Sequence, residues 1–234
     1  LTRHDGKAEE LVVSPSSCRL PGPGTGWTAP SAIARDHGVP YLESWKAAFL
    51  YRPKFIQIHQ WNEFSGQKNG HGIPANYWGE HEKSASAAGT SSGTPPGSDI
   101  YADEYNLQLS DDLEPTRLDA CGYRGCGGWG YYYANLTRAI VSLYRGETPD
   151  ITVLALSAKM PESGVVKQPT LHLHWAFIGK KPTGYSLFLD GAPVAKNLTG
   201  SDYTLHLSGV ASGTHRIKLL AGGVHPYFDL NPSR

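Results

Sequence analysis

The chain reads as the C-terminal part of a (β/α)8 barrel followed by an antiparallel β-sandwich, and three observations carry that reading. Phe55-Ile56-Gln57-Ile58-His59 is a short apolar strand that runs into the polar tip Gln60-Trp61-Asn62-Glu63-Phe64. A barrel strand is built this way, with its early residues buried and its last ones at the rim where chemistry is done. After Tyr131, the residues Tyr132, Leu136, Ala139 and Leu143 form one helical stripe, which Gly146 and Pro149 stop. Beyond Pro149 the hydrophobic period falls to two, and several short strands follow with no helix between them.

The elements are justified in order. Residues 1–30 carry Pro15, Pro21, Pro23 and Pro30 and read as loop. Ser31 to Asp36 is a helical turn, and Tyr41 to Leu50 a short helix ended before Pro53. Gly66 to Asp99 is polar and without periodicity, a length that in a compact domain is functional or disordered. Strands are expected at Ile151–Leu156, Leu171–Phe177, Tyr185–Leu189, Tyr203–Leu207 and Arg216–Leu220, with turns at Asp190-Gly191, Ser212-Gly213 and Gly222-Gly223. Leu171, Leu173, Trp175 and Phe177 share one strand face. The expected domains are residues 1–148, the barrel part with long active-site loops, and 149–234, the accessory sandwich. A complete barrel needs eight strands and about 250 residues, so a second polypeptide is expected to supply the N-terminal part.

Composition narrows the function classes. Formal net charge is zero and no basic run is sustained, which argues against a nucleic-acid partner, since phosphate binding needs clustered Lys and Arg. No stretch has the length to span a bilayer. The 27 Gly, 17 Pro and 13 Tyr suit a loop-heavy extracellular protein. Asn135-Leu136-Thr137 and Asn197-Leu198-Thr199 match the N-glycosylation acceptor pattern, and together with the cysteines they favour secretion. The chain opens on the charged segment Leu1-Thr2-Arg3-His4-Asp5 rather than an apolar leader and reads as a mature or processed piece. Cys121 and Cys126 are close enough for a small disulfide if their Cβ atoms face each other, leaving Cys18 free or paired outside the chain.

No metal or other cofactor is expected. Three cysteines without a second close pair make a poor zinc site, and His172 and His174 share a strand face without an evident third ligand; they read as polar residues on the solvated side of a sheet. Neither a nucleophile elbow nor a phosphate-binding glycine loop is present.

Carboxylates and aromatics make the chemical case. Cleaving a glycosidic bond usually takes two carboxyl groups, one acid and one base or nucleophile. Glu63 is the first candidate, Glu114 in Ser110-Asp111-Asp112-Leu113-Glu114-Pro115 the second, and Glu43 a reserve that could end a strand at Val39-Pro40-Tyr41-Leu42. Each also has a plainer reading: Glu63 facing solvent after a strand, Asp111 and Asp112 capping a turn, Glu43 pairing locally or with Arg52. Trp61 and Asn62 flank Glu63, able to stack on a sugar and to hydrogen-bond its hydroxyls. His59, Gln67, Asp103, Tyr77, Trp78 and Trp129 complete the substrate-binding set, although Trp129 in Gly127-Gly128-Trp129-Gly130 serves equally as a core plug.

At Trp61-Asn62-Glu63-Phe64, Leu113-Glu114-Pro115 and Gly130-Tyr131-Tyr132 the chain resembles the barrel glycoside hydrolases with a Trp-Asn-Glu-aromatic motif. These are the endo-α-mannosidase-like enzymes, their relatives in polysaccharide biosynthesis clusters and, more distantly, the fungal α-1,3-glucanases. The resemblance covers residues 39–145. It implies a secreted glycosidase acting on a polysaccharide or oligosaccharide, with Glu63 at the end of a late strand. The alternative is a non-catalytic carbohydrate-binding or cell-surface protein with a degenerate barrel.

Overall fold

The computed structural model describes residues 1–15, 35–62, 112–116, 129–158 and 166–226. Strands β1 (Arg3–His4) and β2 (Lys7–Ala8) form a small hairpin over Asp5 and Gly6, both at positive φ. Strand β3 (Glu10–Val13), helix α1 (Val39–Tyr51) and strand β4 (Phe55–Ile58) make a β-α-β unit with β3 and β4 parallel. Helix α2 (Tyr132–Tyr144) follows. Then come β5 (Ile151–Ala158), β6 (Thr170–Gly179), β7 (Tyr185–Leu189), β8 (Ala192–Leu198), β9 (Asp202–His206), β10 (Ile217–Ala221) and β11 (His225–Pro226).

Both helices lie where the sequence places them, with informative shifts. α1 takes in Val39-Pro40-Tyr41-Leu42, the alternative barrel strand, because Gly38 turns the chain at φ 87° and Pro40 pre-sets the first helical turn. Its Tyr41, Trp45 and Ala48 face inward. In α2 the buried stripe is Tyr133, Leu136, Ile140 and Leu143, so Tyr133 rather than Tyr132 heads it. Tyr132 lies at the flank, its hydroxyl donating to the His37 carbonyl at 2.7 Å.

The barrel is not there. Among the described residues two α-helices, a single 3-10 turn (Asp36–Gly38) and four small, open sheets are found, and the only parallel strand pair at the expected position is β3–β4. β4 was expected to be buried. Only Ile56 of its four residues is half-buried, because no further strand of the described residues lies beside it. A two-stranded pair cannot close a ring or build the rim on which barrel chemistry depends. The resemblance to barrel glycosidases, the glycosidase function read from it, and the degenerate-barrel alternative therefore fall together.

The expected antiparallel β-sandwich is corrected as well. Its strands divide into a four-stranded sheet, β11-β5-β6-β9, and a three-stranded sheet, β10-β7-β8. The first is mixed, since β11 runs parallel to β5, and neither sheet closes. β5 and β6 carry two inward faces rather than one. Val153, Ala155, Ala176 and Ile178 join Tyr41, Leu42, Trp45, Leu136 and Ile140 in one core, while Leu171, Leu173 and Trp175 meet Tyr185, Leu187, Leu205 and Leu219 in another. Apolar residues on both sides of a strand pair place it between two layers. The first core thus runs across the sequence position chosen for the domain boundary.

Asp190-Gly191 makes the expected turn. Both residues have positive φ, 50° and 84°, and Leu189 pairs with Ala192 across the two-residue loop, the geometry of a type I′ hairpin. At its tip His215 Nδ1 lies 2.7 Å from Asp190 Oδ2. The Arg216 backbone N–H and then His215 hold the Asp190 carboxyl below its ordinary 3.8, and the bond to Asp190 raises His215 above its ordinary 6.5. The His215 contribution is complete below pH 6.5 and is lost as pH rises through its raised value. The Asp190 contribution is complete above pH 3.8 and is lost as pH falls through its lowered value, so the pair is fully engaged between the two. An NMR titration is expected to place His215 above 6.5 and to return it towards 6.5 in Asp190→Asn; a midpoint unmoved by that substitution would remove the pair from the account.

Candidate functional site

The β3–β4 pair ends in a polar knot. The His59 N–H donates to the Val13 carbonyl at 2.8 Å, extending the ladder by one step, and Gln60 then reverses the chain at φ 49°. The Trp61 carbonyl accepts the N–H groups of Leu113 and Glu114 at 3.1 and 2.9 Å. From the other side the Trp129 indole N–H donates to the Glu114 carbonyl at 2.8 Å, and the Trp129 backbone N–H to Thr116 Oγ1 at 2.8 Å. An isolated bridge between Thr116 and Gly130 closes the knot. Trp61, Leu113-Glu114-Pro115 and Trp129, far apart in the chain, are therefore neighbours.

Arg35 is the pin. Its side chain is buried, with the guanidinium carbon 3.6 Å from the centre of a Trp129 ring and 4.2 Å from that of Tyr133. Nη2 donates to the Asp112 backbone carbonyl. Trp129 in turn meets Tyr133 edge-on, at 5.9 Å and 88°. A guanidinium set in the corner of two nearly perpendicular aromatic rings gains from both ring systems while it is buried.

Asp36 ties the same corner in the opposite direction. Its carboxylate accepts the Ser157 hydroxyl, and its Oδ2 lies 2.5 Å from His174 Nε2. Ser157 and His174 are cross-strand partners on β5 and β6, on the face turned towards the first core. His174 was expected on a solvated face; half of that expectation fails, because the face receives Asp36. Asp36, His37 and Gly38 are consecutive at φ 39°, 49° and 87°, a run that costs conformational energy at the two non-glycine residues. The side-chain bonds of Asp36 and the Tyr132 bond to the His37 carbonyl hold it in place. Chemically this is not a nucleophile triad. Activation of a serine needs the imidazole between hydroxyl and carboxylate, and here the carboxylate lies between Ser157 and His174.

The other sequence candidates scatter. Glu43 is exposed on α1 and pairs with Lys46 at 2.6 Å. Glu114 is half-buried beside the knot, His59 half-buried, and Trp61 and Asn62 exposed. Trp129 is half-buried, with its indole edge committed to Glu114 and its face to Arg35. Glu63, Gln67, Tyr77, Trp78, Asp103, Cys18, Cys121 and Cys126 lie outside the described residues. Among the described residues no group of three or more His, Cys, Asp or Glu is placed to hold a metal ion, and no helix is long and apolar enough to cross a membrane. With no barrel to bring two carboxyl groups to a common cleft, the assignment as an enzyme of glycosidic cleavage is withdrawn.

Sequence reasoning missed Arg35, Asp36 and Ser157 as partners. Asp36-His37-Gly38 does carry a turn signal, an Asp ahead of a Gly, but nothing local identifies Arg35 as a buried cation. No protein-family model, curated protein or solved structure matches the chain.

Proposed function

We propose that the chain works by association: a second polypeptide lays a strand along β4 and covers the outer face of the β3–β4 pair. The observation that carries this reading is an unfinished parallel sheet. Leu11, Val13 and Ile56 face the core beneath α1, whereas Val12 is 48 % and Phe55 54 % exposed on the opposite face, beside Glu10 and Gln57. Parallel strands are normally covered on both faces, and two strands alone are marginally stable.

The edge is chemically ready. The Phe55 N–H donates to the Glu9 carbonyl and the His59 N–H to Val13, each at 2.8 Å. Parallel pairing uses alternate residues, so the N–H groups of Ile56 and Ile58 point to the other edge, where no strand of the described residues lies. An added strand would satisfy them and bury the apolar side chains. The acceptor triplets and the loop-rich composition support secretion as the setting.

The test is isolation of the chain, without denaturation, from cells that produce it. It is expected to sediment faster than a monomer of the same polypeptide unfolded and refolded alone, with chemical cross-links from Lys54, the exposed residue ahead of β4, reaching another polypeptide. Ile58→Pro removes one outward N–H while leaving the Phe55 and His59 bonds to β3 intact, and is expected to abolish the complex. A monomer with only intrachain cross-links at Lys54 would end the proposal.

A further inference from the structure

We propose that Asn197, and not Asn135, carries an N-linked oligosaccharide. Both belong to Asn-Leu-Thr triplets, so sequence alone cannot separate them; local geometry does. Asn197 lies at the end of β8, which is an edge of its three-stranded sheet. Its φ of 57° is a left-handed conformation that asparagine tolerates well. Leu198 is half-buried and packs on the second core, while Asn197 and Thr199 on either side are both exposed. The register slips between Tyr185–Leu198 and Leu187–Ala195, so Asn197 falls in a bulge, and the exposure of residues 197 and 199 presents the acceptor amide and the recognition hydroxyl to solvent.

In α2 the same triplet is wound into a helix. Two residues of α-helix turn the chain by more than half a revolution, so Asn135 and Thr137 point in divergent directions. Both are half-buried. The Thr137 hydroxyl is bonded to the Tyr133 carbonyl at 2.7 Å and to the Tyr41 hydroxyl at 2.9 Å, beside the first core. An oligosaccharide on Asn135 would compete with the packing of α2, whereas one on Asn197 leaves directly into water and stands over the β8 edge.

The donor is a lipid-diphosphate-linked oligosaccharide. The Asn197 side-chain nitrogen bonds to the anomeric carbon, the bond from that carbon to the diphosphate oxygen breaks, the lipid diphosphate leaves with the electron pair, and the amide gives up one proton.

The test is the full chain secreted from a eukaryotic cell line, digested with a glycan-releasing amidase in heavy-oxygen water and mapped by mass spectrometry. Released sites become labelled aspartate. The expected result is label at 197 and none at 135, lost completely in both Asn197→Gln and Thr199→Ala. An unlabelled residue 197, or equal label at 135, would overturn the proposal. Using two variants guards against one of them failing to fold.

Discussion

Gly179→Ala is expected to destabilise the chain by about 3 kcal/mol, the sum of roughly 1–2 for an alanine in a left-handed conformation and roughly 1–3 for overpacking. Gly179 ends β6 at φ 98°. A Cβ there would fall on the backbone carbonyl oxygen of Ile151 and 2.9 Å from Leu143 Cδ2. The leucine methyl can move aside, but the Ile151 carbonyl accepts the Lys180 N–H at 3.1 Å and opens β5. Gly146→Ala is the control, since φ is 77° but no atom lies within 4 Å of the added methyl. Denaturant unfolding should show the Gly179 variant clearly less stable than the Gly146 variant. Equal losses would mean that the close approach of β5, β6 and α2 at this point is not as described.

Arg35→Met is expected to cost about 3 kcal/mol. The substitution keeps the apolar stem but removes a cation held between Trp129 and Tyr133, worth about 1–2 kcal/mol when desolvated. It also strips the buried Asp112 carbonyl of its donor, a loss of about 1–3 kcal/mol. Trp129 would lose its stacking partner while keeping its bonds to Glu114 and Thr116, so its fluorescence should shift at the same denaturant-free condition. Arg35→Lys retains the charge without the delocalised guanidinium fork and should fall between the parent and Arg35→Met. Stability of Arg35→Met within about 0.5 kcal/mol of the parent, the range of ordinary surface substitutions, would show that the corner at residues 35–38 holds nothing together.

These two positions show what a sequence can and cannot convey here. Leu136, Ala139 and Leu143 repeat at helical spacing and Pro53 marks where the first helix must stop, so both helices are legible in the sequence. Leu171, Leu173 and Trp175 alternate, and Asp190-Gly191 announces its hairpin, so the strands after residue 149 could be read one by one. Their assembly could not. Val153 and Ala155 face the helices while Leu154 and Leu156 face the other sheet, and a strand apolar on both sides says nothing about which layer covers which side. The run Phe55 to His59 reads as a buried strand, yet hydrophobicity records what a segment is suited to pack against, not whether anything covers it. The barrel was inferred from that strand and from a short motif whose two halves do meet, at Trp61 and Glu114, but on a two-stranded pair. Arg35 and Asp36 escaped notice because their partners, Asp112, Trp129, Ser157 and His174, are distant in the chain and become neighbours only after folding.

Amide hydrogen exchange at Ile56 and Ile58 tests the association reading most directly. In the assembly isolated from producing cells both amides should be strongly protected, and they should exchange rapidly in the separated chain, while Phe55 and His59, bonded to Glu9 and Val13, stay protected in both. Rapid exchange at Ile56 and Ile58 within the native assembly would contradict strand addition along β4.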